Sequence, residues 1–118
     1  MTNEEYQYFA RRTQKPEWQK ANRSEEASHD MMRHAVFGIC SEAGEVAGIL
    51  QKVYQGHEFD REHFIKELSD ILWFISEACD CVNVPIGEVM QRNIDKLLAR
   101  YPEGFDPDKS LHRAEGDI

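Results

Sequence analysis

The chain is predicted to be all-α. Apolar residues recur at alternating steps of four and three through its long stretches. No segment alternates apolar and polar residues as a strand would, and proline or glycine falls where each helical pattern stops. A first helix is expected over about Asn3 to Thr13, with Tyr6, Phe9 and Ala10 on one side. "QKPEWQKANRSEE" then reads as a polar connection broken by Pro16 and carrying an isolated Trp18. A long second helix follows, from about His29 to Gln55. Its Met32, Val36, Ile39, Ala43, Val46, Leu50 and Val53 form the seam of a helix packed in a bundle. Gly56 stops it, and Asp60 is a suitable N-cap for a third helix over about Arg61 to Val82. That helix is expected to bury Phe64, Leu68, Ile71, Leu72, Ile75, Cys79 and Val82. "NVP" breaks it, and Pro85 suits the first turn of a fourth helix reaching about Arg100. The two prolines that follow, and the loss of any period, predict an irregular tail over 106–118. The expectation is one domain, 1–118, a four-helix bundle with its core over 28–105.

Bulk properties narrow the function classes. The 118 residues are 41% hydrophobic and 31% charged with a formal net charge of -8, the profile of a water-soluble globular domain. No run approaches the ~18 apolar residues of a membrane span, and "MTNEEYQYFA" lacks the basic and apolar regions of a signal peptide, so a cytoplasmic protein without membrane partners is expected. Cys40, Cys79 and Cys81 all fall in predicted helices among apolar neighbours, which predicts reduced, buried thiols. The acidic balance argues against nucleic-acid binding through a basic surface. It permits a small anionic ligand if a divalent cation bridges the like charges.

The helices carry their acids in an ordered way. Glu42 and Glu45 in "CSEAGEVAG" stand one turn apart, as do Glu67 and Asp70 in "KELSDILWFI". At about 100° per residue each pair lies on one flank, about 60° apart, beside apolar residues that the main seam leaves out: Ile49 with the first pair, Phe74 with the second. Gly38, Gly44 and Gly48 each cost about 1 kcal/mol against alanine in a helix, so close packing or room for a ligand is expected there. The acid-bearing flank is therefore expected to face a cleft or a second subunit. Taken alone, acid pairs on helices usually face water. Two pairs of the same spacing on successive antiparallel helices can instead converge as oxygen ligands for a hard cation such as Mg²⁺.

These residues resemble a known signature. "SEAGEVAG" followed by "KELSDILWF" is similar to the E-x-x-E, spacer, E-x-x-D pattern of the MazG-like, all-α nucleoside triphosphate pyrophosphohydrolases, with residues 46–66 as the spacer. "QRNIDKLLARYPEGF" resembles the helix that follows in that family, and the similarity covers about Gly38 to Phe105. The resemblance implies hydrolysis of a nucleoside triphosphate between the α- and β-phosphates to monophosphate and pyrophosphate, with house-cleaning of noncanonical nucleotides as one role. It implies Mg²⁺, or Mn²⁺ in its place, on Glu42, Glu45, Glu67 and Asp70, with Glu45 also positioning or deprotonating the attacking water. It implies phosphate or sugar contacts from Asn93, Lys96 and Arg100, which form one polar stripe on the fourth helix but would otherwise read as surface residues near a helix C-terminus. Lys52 is a further phosphate contact or a solvated lysine, and Tyr101 bonds substrate or packs at the helix end. Phe74 lines a base pocket or belongs to the core; Trp18 folds over that pocket as a lid or does the same. The histidines show no ligand spacing and are given no role. The resemblance also implies a homodimer or homotetramer whose neighbouring subunits complete the bundle. A dimeric dUTPase-like or phosphoribosyl-ATP pyrophosphatase-like enzyme shares the acid-bearing helices, and a noncatalytic helical module that binds a cation or a basic partner remains a third reading.

Overall fold

The computed structural model describes residues 1–118 and contains helices only, apart from an isolated bridge between Pro102 and Gly104. Helix α1 spans Asn3–Arg11 and begins with a reciprocal cap. The Glu5 amide donates to Thr2 Oγ1, and the Thr2 amide donates to the Glu5 carboxylate, each at 3.1 Å. Helix α2 spans Glu25–Tyr54, four residues earlier in its start than the apolar period indicates. Ser24 caps it by accepting from the Ala27 amide, and Glu25 and Glu26 complement the positive helix end. Capping chemistry, which is polar, set this boundary. Gly56 ends the helix at a φ of +101°, a conformation that glycine adopts without steric cost.

Helix α3 spans Arg61–Cys81 and is capped by Asp60 as expected; α4 spans Ile86–Arg100, with Pro85 in the N-cap position. The segment after α4 departs from expectation: Asp106 caps a short helix α5, Pro107–Leu111. No helix is long and apolar enough to cross a membrane.

Helices α2 and α3 form the main antiparallel pair, and α1 lies across α3 and the start of α4. A polar clamp holds that crossing. Asp80 near the end of α3 accepts from Gln7 (2.9 Å) and Arg11 (2.6 Å) on one oxygen and from Gln14 (2.8 Å) on the other. Gln7 in turn accepts from the Ile86 amide that opens α4, at 2.8 Å. Arg23 donates to the Asp80 and Cys81 carbonyls at the C-terminal end of α3.

The buried face of α2 is the flank expected to face a cleft. Met31, Ala35, Gly38 and Ile49 are buried, and all lie within about 60° of one another at 100° per residue, with Glu42 in their midst. Much of the predicted seam is turned outward instead: Met32, Val36, Leu50 and Val53 of α2 are exposed, as are Leu68 and Leu72 of α3 and Val82 just after it. These residues of the expected core thus lack cover within one chain, whereas Cys79 is buried and Ile39, Val46, Phe64, Ile71 and Ile75 are half-buried. Of the two readings of Trp18, a lid or a core residue, the fold gives the second. Trp18 belongs to a 3₁₀ turn over Pro16–Trp18 and is buried against Met31 and Cys81. Cys79 and Cys81 are buried thiols, whereas Cys40 is exposed, contrary to expectation, because it shares the outward side of α2.

The glycines of α2 separate cleanly. A Cβ on Gly38 would run into the Phe74 ring of α3, so its absence is what lets the two helices approach. A Cβ on Gly44 or Gly48 meets nothing within 4 Å. Gly38→Ala is therefore expected to destabilise the chain by about 1–3 kcal/mol through overpacking, while Gly48→Ala gains up to about 1 kcal/mol of helix propensity. Thermal unfolding of the two variants checks the contrast, and equal effects would contradict it.

Candidate metal centre

The α2–α3 contact brings three of the four predicted ligands together. Carboxylate oxygens of Glu42, Glu67 and Asp70 lie within 4.8 Å of one another, although 25 residues separate Glu42 from Glu67 in sequence. Glu67 is buried, and its Oε1 lies 2.9 Å from His63 Nε2, one turn earlier on α3. Glu42 and Asp70 are half-buried. Glu45 stands one turn beyond Glu42, exposed and outside the three-residue group, but close enough for its charge to act on Glu42.

Like charges this close raise the affinity of Glu42 for protons. A hydrogen bond to Glu67 pushes the Glu42 carboxyl above its usual range, and partial desolvation and the charges of Asp70, Glu67 and Glu45 add to it. A divalent cation relieves the same repulsion. The donor set, all hard oxygens on two rigid helices, suits Mg²⁺ or Mn²⁺.

Aromatic residues wall the cluster. Glu42, Asp70, Trp73 and Phe74 line one open cleft of about 380 Å³, with the Phe74 ring edge-on to Trp73. Trp73 is fixed by a 2.8 Å hydrogen bond from its Nε1 to Thr13 Oγ1. Phe74, placed on the acid flank by its spacing, lines this cleft with the acids. Trp18 does not reach it: His34 lies between, with ring centroids 5.2 Å from Trp18 and 5.4 Å from Phe74.

The other predicted substrate contacts lie apart from the acids within one chain. Asn93 and Lys96 are exposed on α4. Lys96 and Arg100 line a second cavity, about 540 Å³, that shares no residue with the acid cleft. Arg100 is already paired there, donating to both carboxylate oxygens of Asp117. Tyr101 packs on Phe105 beside Arg100, and Lys52 is exposed in the last turn of α2.

Three residues given no role from the sequence stand close to the site. His63 orients Glu67, and its position four residues before that acid on the same helix was a usable signal. His34 and Glu77 were not legible in this way, since they meet across 43 residues of chain with Nδ1 at 2.5 Å from Oε1. Glu77 is fully buried, and its Oε2 has no partner. Burial pushes its carboxyl above the usual range, only partly offset by His34. A folded-state pKa above the unfolded one means that the stability Glu77 contributes is present below the usual glutamate range and lost as pH rises through the raised value. Glu77→Gln is accordingly expected to stabilise the chain by about 1 kcal/mol or more at pH 8, with the gain shrinking toward pH 5. Unfolding midpoints across that range test it; a variant less stable than wild type at pH 8 would show that the buried Glu77 carboxylate is net favourable.

Residues 29–105 match the MazG nucleotide pyrophosphohydrolase domain. A curated relative, the Gene 37 protein of Mycobacterium phage L5, is 27% identical over 78 residues, which cover 62% of this chain and 68% of that protein. No solved structure matches the chain. The matched span holds all four acids and the whole of α4, and it makes up more than half of the chain: this protein belongs to the MazG nucleotide pyrophosphohydrolase family.

Proposed function

We propose that this protein hydrolyses nucleoside or deoxynucleoside triphosphates at the α–β phosphate bond, in a reaction dependent on Mg²⁺, and that it serves to clear unwanted nucleotides. The observation that carries this reading is the convergence of Glu42, Glu67 and Asp70 across two helices in a chain of this family. Bound there, Mg²⁺ or Mn²⁺ would supply Lewis acidity toward the phosphate oxygens. Glu42, Glu67 and Asp70 would hold the cation, and His63 fixes the orientation of Glu67. Glu45, one turn on and open to solvent, positions the attacking water and accepts its proton. Water oxygen bonds to the α-phosphorus as the bond to the bridging oxygen breaks, releasing monophosphate and pyrophosphate. Phe74 and Trp73 offer flat apolar faces to the base.

Lys96 and Arg100 contact the phosphate chain, with Asn93 on the same stripe, Tyr101 beside them and Lys52 approaching from the end of α2. For these groups to meet one substrate with the acids, α4 and the acid cleft have to come from neighbouring subunits. The surface supports assembly. One chain exposes 8816 Å², against about 6,600 Å² for a compact chain of its mass. Its radius of gyration is 17.6 Å, against about 13.5 Å for a compact chain of 118 residues. The outward seam of α2 and α3 is the apolar surface that a second copy covers, giving a homodimer or a dimer of dimers. Light scattering on the wild type is expected to give a multiple of 13.7 kDa, and Leu72→Glu to shift the protein toward one chain. A monomeric wild type would end this assignment.

The function itself is tested by incubating a panel of canonical, deoxy and modified nucleoside triphosphates with and without Mg²⁺ and identifying both products. Pyrophosphate with monophosphate supports the reading. Orthophosphate with diphosphate puts cleavage at another bond, and no turnover by folded, assembled protein leaves a noncatalytic module.

A further inference from the structure

The second cavity has a composition at odds with the rest of the molecule. The chain carries a formal charge of -8, yet this cavity of about 540 Å³ is lined by Lys96, Arg100, Lys109, Arg113 and His112, with Asp117 as the one acidic residue. Lys96 and Arg100 come from α4, the others from the segment that folds back after it. Among the side chains that line it, four cations face one carboxylate.

The position of that carboxylate is informative. Arg100 Nε and Nη2 donate to Asp117 Oδ2 and Oδ1 at 2.8 and 2.7 Å, a two-pronged pairing in which the two side chains are only 10% and 16% exposed. Gly116, at a φ of +86°, turns the chain so that Asp117 points back at α4. The hydrogen bonds from Arg100 are the main cause holding the Asp117 carboxyl below its usual range, and the charges of Arg113 and Lys96 act in the same direction. A guanidinium presents the same fork to a phosphate as to a carboxylate. Asp117 therefore occupies the place that one phosphate group would take, and the remaining cations stand where further phosphates of a chain would follow.

We propose that this cavity is a polyphosphate site latched by the protein's own Asp117, which leaves Arg100 when a phosphate chain binds. Lys109 and Arg113 then act as phosphate ligands alongside Lys96 and Arg100. The proposal deepens the reading of Lys96 and Arg100 as phosphate contacts, but it requires neither turnover nor a cation on the acid cluster. Both a triphosphate and the pyrophosphate released from it offer the necessary chemistry.

The test uses the full chain in the presence of a chelator, so that the acid cluster binds no cation, and titrates inorganic tripolyphosphate and pyrophosphate separately. Calorimetry reads affinity, and amide resonances of Asp117 and Ile118 read the latch. Expected is saturable binding, with those two resonances moving toward unfolded-chain positions as ligand is added. A latch closed about nine-tenths of the time lowers apparent affinity about tenfold, so Asp117→Asn is expected to bind about ten times more tightly. Arg100→Gln is expected to lose binding. Because the chelator keeps cations off the acid cluster, binding read in this way does not depend on the metal centre, which separates failure of that reading from failure of this one. The more tightly bound of the two probes identifies the substrate or product as the source. The proposal is overturned by absence of binding, by binding that leaves the Asp117 and Ile118 resonances in place, or by an Asp117→Asn variant that binds no more tightly than wild type. That last result would make Asp117 a builder of the cavity.

Discussion

Replacing Glu67 with glutamine is expected to lower Mg²⁺-dependent pyrophosphate release by about 10²–10³-fold, equivalent to about 3–4 kcal/mol of transition-state stabilisation at 1.36 kcal/mol per tenfold. Glu67 occupies the most constrained position of the cluster. It is buried, bonded by His63 on one oxygen, and close to both Glu42 and Asp70. Glutamine keeps its shape but removes one unit of negative charge and adds a donor among acceptors, so the loss is electrostatic and should occur without unfolding. Glu45→Gln provides the comparison. An exposed residue that acts on water is expected to lower kcat while leaving the cation requirement unchanged, whereas Glu67→Gln raises the Mg²⁺ concentration needed for half-maximal rate. Steady-state rates as a function of Mg²⁺ for both variants make the distinction. A Glu67→Gln enzyme within threefold of wild type would remove this carboxylate from the site.

Addition of saturating Mg²⁺ is expected to raise the thermal unfolding midpoint of the wild type by about 10 °C. A ligand at about 100 times its dissociation constant adds about 2.7 kcal/mol, and each kcal/mol moves the midpoint of a domain this size by about 4 °C. Without cation, crowding of carboxylates opposes folding. Glu42, whose carboxyl is raised mainly by its hydrogen bond to Glu67, contributes stability that is present below the usual glutamate range and lost as pH rises through its higher folded value. Glu42→Gln is therefore expected to melt higher than wild type at neutral pH without cation and to gain less from Mg²⁺. Differential scanning fluorimetry at pH 5 and pH 7.5, with and without the metal, gives all the required comparisons. A cation response retained in full by Glu42→Gln would place the metal elsewhere.

Much of this architecture was legible from local sequence. The helical period, Asp60 as a cap, and Gly56 as a stop located α3 and the end of α2 to within a residue. The i, i+3 acid pairs and their flank also followed from helix geometry, and Phe74 was correctly set beside them. The start of α2 was less legible, because Ser24 and its acidic first turn lie outside any apolar pattern.

What remained hidden has a common physical cause. An apolar stripe shows that a helix has something to bury, but not which neighbour covers it or whether that neighbour belongs to the same chain. Periodicity pointed to Met32, Val36, Leu50 and Val53, whereas the folded chain buries Met31, Ala35 and Ile49 and leaves the first set facing out. The reason is the Gly38–Phe74 contact, which lets α3 approach α2 on the acid flank, so that the stronger apolar stripe is left exposed. The His34–Glu77 pair and the Arg100–Asp117 latch likewise join residues 43 and 17 positions apart, beyond the reach of any helical spacing. Residue types and their spacing thus determined the helices and the acids they carry. Tertiary packing determined which faces meet, because that choice depends on steric fit between distant segments and not on the pattern within either one.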